Sequence, residues 1–217
     1  MADETFFNPH QRATIAAAMA RIIPTDDMPG AREAGCIDFV DRYLSGIGFI
    51  YAKPDGSGFE TLTGRAADAW RRRIDILRRR YVDGVADLDE RARATFSAPF
   101  SELHPEQQET ILRALEAGRS PAETTAALDR TAEAAEPALQ QTSTEIDLDF
   151  FPLLVAHTRQ GYYCDPIYGG NRDRAGWTTI GFDGPTSLKA VHEGRYTTLQ
   201  YFAEGEAEKV REFHDGL

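Results

Sequence analysis

Residues 65–93 read RAADAWRRRIDILRRRYVDGVADLDERAR, and their periodicity decides the fold class. Trp70, Ile74, Leu77, Tyr81, Val85 and Leu88 recur at helical spacing, which lines one face of an α-helix with apolar side chains. The pattern predicts a helix from about Arg65 to about Arg93. Two arginine triplets, Arg71–Arg73 and Arg78–Arg80, sit one heptad apart. At about 100° per residue, Arg71 and Arg78 flank one edge of the apolar stripe, Arg73 and Arg80 flank the other, and Arg72 and Arg79 point away. Seven arginines between Arg65 and Arg80 face only Asp68 and Asp75, a local charge of +5 in a chain of net charge −11. Two readings stay open. The arginine stems cover the edges of a core and pair with acids elsewhere, or they form a basic ridge for an acidic partner, with Arg71, Arg72, Arg78 and Arg79 as weaker interface candidates.

Helices also dominate on either side. In FFNPHQRATIAAAMARIIP, Asn8 is a ready N-cap and Pro9 suits a first helical position, where no N–H is missed. Ile15, Met19, Ile22 and Ile23 make its apolar stripe, and Pro24 ends it. A turn-rich connection with Pro29–Gly30 leads to a second helix carrying Ile37, Val40, Leu44 and Ile47 on one face. YAKPDGSGFETLTG is a polar loop with a Pro-Asp-Gly turn. SELHPEQQETILRALEAG is a helix stopped by Gly118, and SPAE opens a weakly apolar helix from Ala122 to about Gln141. DLDFFPLLVAHTRQGYY restores a strong apolar run with Pro152 in its first turn. Strands are scarce. The expected fold is all-α: an irregular helical domain over residues 1–182 with long loops, followed by an extended tail, 183–217, that is a candidate partner-binding segment.

With 217 residues, 41% of them hydrophobic, the chain is able to build a substantial core. Its acidic balance argues against nucleic-acid binding, which needs a net basic face. No apolar run is long enough to insert in a membrane. The N-terminus MADETFFNPHQ lacks a basic region followed by an apolar one, which reads as a cytoplasmic protein, or as one written without its leader. Cys36 and Cys164 are too few for a disulfide framework; a single bridge or two buried thiols are both compatible with the sequence.

Catalytic spacing is missing. His157, Cys164 and Asp165 match no common metal-ligand pattern, and His157, inside an apolar helix, reads as a hydrogen-bonded structural histidine. No nucleophile elbow and no dinucleotide loop is present. No catalytic, metal or cofactor-binding residue is therefore assigned. The stretch CDPIYGGNRDRAGWTTIGF, 164–182, stands apart. Asp165–Pro166 starts a turn in which Asp165 is expected to bond the backbone two residues on. Gly169–Gly170 permits positive φ or close backbone approach. Asn171, Arg172 and Asp173 are suited to satisfying exposed peptide groups, and Trp177, Ile180 and Phe182 are apolar anchors. Turned inward, these residues make a self-packed cap; turned outward, Tyr168, Arg172 and Trp177 are binding anchors.

Four blocks, IIPTDDMPGAREAGCIDFVDR, YVDGVADLDERA, FSELHPEQQETILRAL and FFPLLVAHTRQGYYCDPIYGGNRDRAGWTTIGF, together resemble the gluconate 2-dehydrogenase subunit 3 family. These are the small subunits of bacterial FAD-dependent sugar and polyol dehydrogenases. The resemblance implies an α-helical accessory subunit without catalysis of its own. Its partner is then a large subunit of the glucose–methanol–choline type that carries the FAD, with or without a cytochrome c subunit. Family members often carry a twin-arginine leader, so the resemblance also admits a periplasmic address if such a leader was removed or belongs to the partner. Asp165, Tyr168, Gly169, Gly170, Asn171, Arg172 and Trp177 are the expected partner-binding or loop-structuring residues. The competing reading is a stand-alone saccharide-binding protein or enzyme using the Tyr168–Trp177 loop; a third is a chaperone that acts only during maturation.

Overall fold

The computed structural model describes residues 5–118, 145–185 and 187–194. Five helices build the body: α1 (Pro9–Ile22), α2 (Cys36–Ser45), α3 (Gly64–Phe96), α4 (Pro105–Ala117) and α5 (Phe150–Tyr163). Two single-turn helices follow, α6 (Ala175–Thr179) and α7 (Leu188–His192). Among the described residues there is no sheet, only an isolated antiparallel bridge between Ala52 and Phe59 at the base of the Pro-Asp-Gly turn. The all-α expectation holds.

Local chemistry sets the helix ends. Asn8 Oδ1 accepts from the Gln11 amide at 2.9 Å while Gln11 Oε1 accepts from the Asn8 amide at 3.1 Å, a reciprocal capping box that fixes the start of α1. The chain before it is tied down by Asp41, whose Oδ1 accepts from the amides of Phe6 and Phe7 at 2.8 and 3.0 Å. Helix α3 runs three residues past the expected end and stops where Ser97 turns left-handed, at φ 61°. Phe96, in that extra turn, packs against the core. Ile47 departs from expectation. Gly46 adopts an extended conformation that ends α2, so Ile47 opens a separate 3-10 turn, Ile47–Phe49. The expected helix from Ala122 to Gln141 and the tail beyond Gly194 lie outside the described residues.

Helix α5 is the hub. It packs most extensively against α2 and also touches α1, α3, α4 and α6. Being enclosed on nearly all sides, it is apolar almost all round, with Leu153, Leu154, Ala156 and Tyr162 buried. Its buried Thr158 is satisfied within the helix, Oγ1 donating to the Leu154 carbonyl at 2.7 Å. The stripe read on α3 faces this hub, with Ile74, Leu77, Tyr81, Val85 and Leu88 buried and Trp70 half-buried at the end. Gly84 has a specific reason to be glycine. A Cβ there would lie 2.1 Å from the Phe150 ring, so its absence lets α5 lean on α3.

Candidate partner-binding site

The segment after α5 folds back on the C-terminal end of that helix as a clasp. It opens with a 3-10 turn, Pro166–Tyr168, in which Asp165 Oδ1 accepts from the Ile167 amide at 2.9 Å. Gly169 follows at φ +100°, a conformation L side chains avoid. Gly170 then lies so close to α5 that a Cβ would be 2.1 Å from the Gly161 carbonyl oxygen. That contact aligns the Asn171 amide on the same carbonyl at 2.7 Å. The Asn171 side chain is buried and bridges the clasp from within: Nδ2 donates to the Cys164 carbonyl and Oδ1 accepts from the Gly176 amide, both at 2.9 Å.

Backbone strain concentrates here. Asn171, Asp173 and Arg174 all have positive φ, at 47°, 54° and 58°. Asn and Asp tolerate this region through local hydrogen bonds, but Arg174 has no such help and costs of order 1 kcal/mol. Its guanidinium donates to the Asp183 and Pro185 carbonyls, each at 3.3 Å, and lies over the Trp177 ring. These contacts hold the strained turn in place.

Helix α6 then carries Trp177 inward, 6% exposed, with Nε1 donating to the Tyr163 carbonyl at 2.8 Å. Phe182 meets the ring edge-on at 5.3 Å, and the backbone at Gly184 covers it closely. Ile180, expected as an anchor, is instead 59% exposed. The reason is a Schellman-type stop: Gly181 turns left-handed and the Phe182 amide returns to the Trp177 carbonyl at 2.8 Å. Phe182 thereby takes the inward place that Ile180 would have filled.

The clasp reaches three other parts of the body. The Arg172 amide donates to the Ala34 carbonyl at 2.9 Å, in the same connection where Tyr162 of α5 donates from its hydroxyl to the Pro29 carbonyl at 2.5 Å. Tyr168 accepts from the Ala52 amide and meets Phe59 at 5.7 Å, joining the 46–62 loop. Beside Gly169 lies a cleft of about 360 Å³ lined in part by Arg12, Asp38, Asp41, Arg42, Phe49 and Arg172. Arg12 bridges Asp38 and Asp41, and Arg172 also pairs with Asp38. The sequence-derived loop residues Asp165, Tyr168, Gly169, Gly170, Asn171, Arg172 and Trp177 are thus gathered in one structure. Their burial differs: Gly170, Asn171 and Trp177 are buried, whereas Arg172 is exposed.

The arginines of α3 are spread along the helix. Arg78 is half-buried and donates to the carbonyls of Leu44 and Ser45 at 2.7 and 2.8 Å, closing the C-terminal end of α2. Arg71 pairs with Asp68 in solvent, and Arg72 and Arg79 are exposed.

A second polar cluster escaped the sequence reading. Arg73 is buried and pairs with Glu145, which also accepts from His157 Nε2 and, at 3.2 Å, from the Tyr43 hydroxyl. Tyr43 in turn accepts from Arg73 Nε at 3.1 Å. Burial raises the pKa of both Tyr43 and Tyr81, so each keeps its proton to donate. The Tyr81 hydroxyl then donates to His157 Nδ1 at 2.8 Å, which fixes the neutral tautomer with its proton on Nε2. Among the described residues Arg73 Nη1 has no hydrogen-bond partner, but the guanidinium lies 4.8 Å from the Trp70 ring centroid. Nothing in the sequence signalled that Glu145 and Arg73 would meet. Among the described residues, no group of three or more His, Cys, Asp or Glu is placed to hold a metal, and no helix is long and apolar enough to cross a membrane.

Burial, then the charge of Arg73, pushes the His157 pKa from 6.5 down to about 3. Between these values the unfolded chain binds a proton that the folded chain refuses, so stability climbs with pH through the window. It is complete above pH 6.5 and is lost as the pH falls toward 3. Calorimetry from pH 7 to pH 4 is expected to show a loss on the order of a few kcal/mol from this group. A His157→Gln variant, less stable at pH 7, is expected to have a flatter profile. An unchanged slope in that variant would assign the acid sensitivity elsewhere.

Fold and clasp together define the class: an all-α protein built around a central apolar helix, with its most contorted loop locked to that helix's end. The chain belongs to the gluconate 2-dehydrogenase subunit 3 family, whose model matches residues 9–184. No curated protein and no solved structure matches it. The matched span runs from the first residue of α1 to the glycine that backs Trp177, so bundle and clasp belong to one family unit.

Proposed function

We propose that this chain is a non-catalytic accessory subunit that binds and stabilises a larger FAD-dependent sugar dehydrogenase of the glucose–methanol–choline type. The observation that carries this reading is membership, over most of the chain, of a family named for a subunit of a gluconate dehydrogenase. The flavin belongs to the partner, and a cytochrome c subunit is compatible with the same assembly. The clasp supports a binding role. A loop that stores strain and is held by hydrogen bonds from three sides presents a pre-organised surface, and pre-organisation lowers the entropic cost of association. Its exposed rim, Tyr163, Arg172 and Ile180, sets an aromatic and an Arg side chain, types enriched at interface centres, beside an exposed apolar one. Exposed Arg71, Arg72 and Arg79 on α3 are secondary contacts, with Arg78 behind them bracing α2.

A saccharide site built on the loop has less support, because the Trp177 ring is covered by Phe182 and Gly184 and offers no free face for stacking. Co-expression with a flavoprotein of this type from the same genome tests the proposal. Co-elution with flavin absorbance is expected, and Ile180→Asp is expected to weaken it while leaving this subunit's own melting temperature unchanged. Separate elution, with the flavoprotein stable and active alone, sinks the proposal. Association lost after maturation would select the chaperone role instead.

A further inference from the structure

Both cysteines of the chain border one glycine, Gly161. Cys36 is the first residue of α2 and is buried; Cys164 directly follows α5 and is partly exposed. The antiparallel packing of α2 on α5 brings the Cys36 backbone onto Gly161, where an added Cβ would lie 3.1 Å from Cys36 Cα and 3.2 Å from its carbonyl oxygen. Cys164 sits three residues further along, and its Sγ turns back to the Gly161 carbonyl, at 3.7 Å. The Cys36 backbone and the Cys164 thiol therefore both lie against Gly161. The thiols are near enough that Cys164 adds electrostatically to the rise in the Cys36 pKa.

We propose that Cys36 and Cys164 are a cross-linking pair: under thiol–disulfide oxidation they form an intramolecular disulfide that staples the start of α2 to the end of α5 beneath the clasp. With glutathione disulfide as oxidant, the Cys164 thiolate attacks one sulfur and releases the first glutathione, leaving a mixed disulfide. The Cys36 thiolate then attacks the Cys164 sulfur and releases the second. The protein loses two electrons and two thiol protons, and glutathione disulfide is reduced to two molecules of glutathione. In the folded chain Cys164 is the entry point, because it is partly exposed and Cys36 is buried.

Burial pushes both thiols up to about 12, so few are ionised at neutral pH and the folded protein reacts slowly. The bond accordingly forms most readily as the chain folds. It closes a loop of more than one hundred residues, a length at which the constraint on the unfolded chain is large.

The test refolds the full chain from urea in a glutathione redox buffer, then alkylates it under denaturing conditions and maps peptides by mass spectrometry. The expected product is a monomer lighter by two hydrogens, with a Cys36–Cys164 linked peptide and no alkyl label. Its melting temperature is expected to exceed that of the reduced protein by roughly 10 °C. Cys164→Ser, at the partly exposed position, is expected to fold and to lose the response to oxidant. Alkyl label on both cysteines, glutathione adducts without the linked peptide, or disulfide-bonded dimers would each overturn the assignment. So would an oxidant-dependent rise in the melting temperature of Cys164→Ser.

Discussion

Glu145→Ala is expected to lower the melting temperature by on the order of 10 °C, corresponding to about 3–5 kcal/mol. The effect exceeds that of an ordinary ion pair because of what is left behind. Glu145 is the only carboxylate paired with Arg73 among the described residues, and Arg73 is buried with one guanidinium nitrogen already unpartnered. Removing the carboxylate strands a cation in the core and takes the acceptor from His157 and Tyr43 at the same time. The comparison that identifies this mechanism is the double replacement Arg73→Met with Glu145→Leu. An apolar pair of similar volume needs no charge compensation and is expected to recover most of the loss. If the double variant is no more stable than Glu145→Ala, the cost lies in packing and not in the stranded charge.

The second large effect comes from a single methyl group. Gly176→Ala is expected to destabilise by about 3–5 kcal/mol, near the upper end for point substitutions. The new Cβ would lie 1.9 Å from the Tyr162 carbonyl oxygen, an atom fixed in the last turn of α5. Gly170→Ala is expected to behave alike, since its Cβ would meet the Gly161 carbonyl at 2.1 Å. Neither obstacle is a side-chain tip able to swing aside, so relief requires the clasp to lift from the helix. Gly48→Ala is the control, because a Cβ at that exposed position meets nothing within 4 Å. Chemical denaturation of the three variants should separate them clearly. A Gly176→Ala protein as stable as the Gly48→Ala one would show that the clasp does not sit on α5 as described.

Much of this architecture was written in local pattern. The stripe on α3, the Asn8–Pro9 start of α1 and the apolar run of α5 each depend on residues within a few turns of one another, and each appears where the spacing placed it. The positive φ at Gly169 and the close backbone approach at Gly170 were also readable, because turn chemistry acts over two or three residues. What escaped depends on distant partners. Glu145 lies in a polar stretch, and only the fold brings it to Arg73, which the helical wheel placed at the edge of the stripe. Ile180 was misjudged because a stop signal at Gly181 redirects the chain after α6, and apolarity alone does not reveal direction. The pairing of Asp38 and Asp41 with Arg12 was likewise invisible, since it depends on how α1 crosses α2.

The position of α5 at the hub also governs when the molecule is able to fold. Its closest neighbour, α2, is made more than one hundred residues earlier on the ribosome. Until residues 150–163 are synthesised, helices α1 to α4 have no central element to close upon, and Leu44, Leu77 and Tyr81 remain without their shared core. The final clasp must wait longer still, because Gly170 and Gly176 seat on a helix that ends only a few residues before them. Long-range closure of this kind is slow relative to local helix formation, and it leaves apolar surface open meanwhile. Until α5 is made the nascent chain is therefore a half-built bundle, completed by a helix that follows the other four.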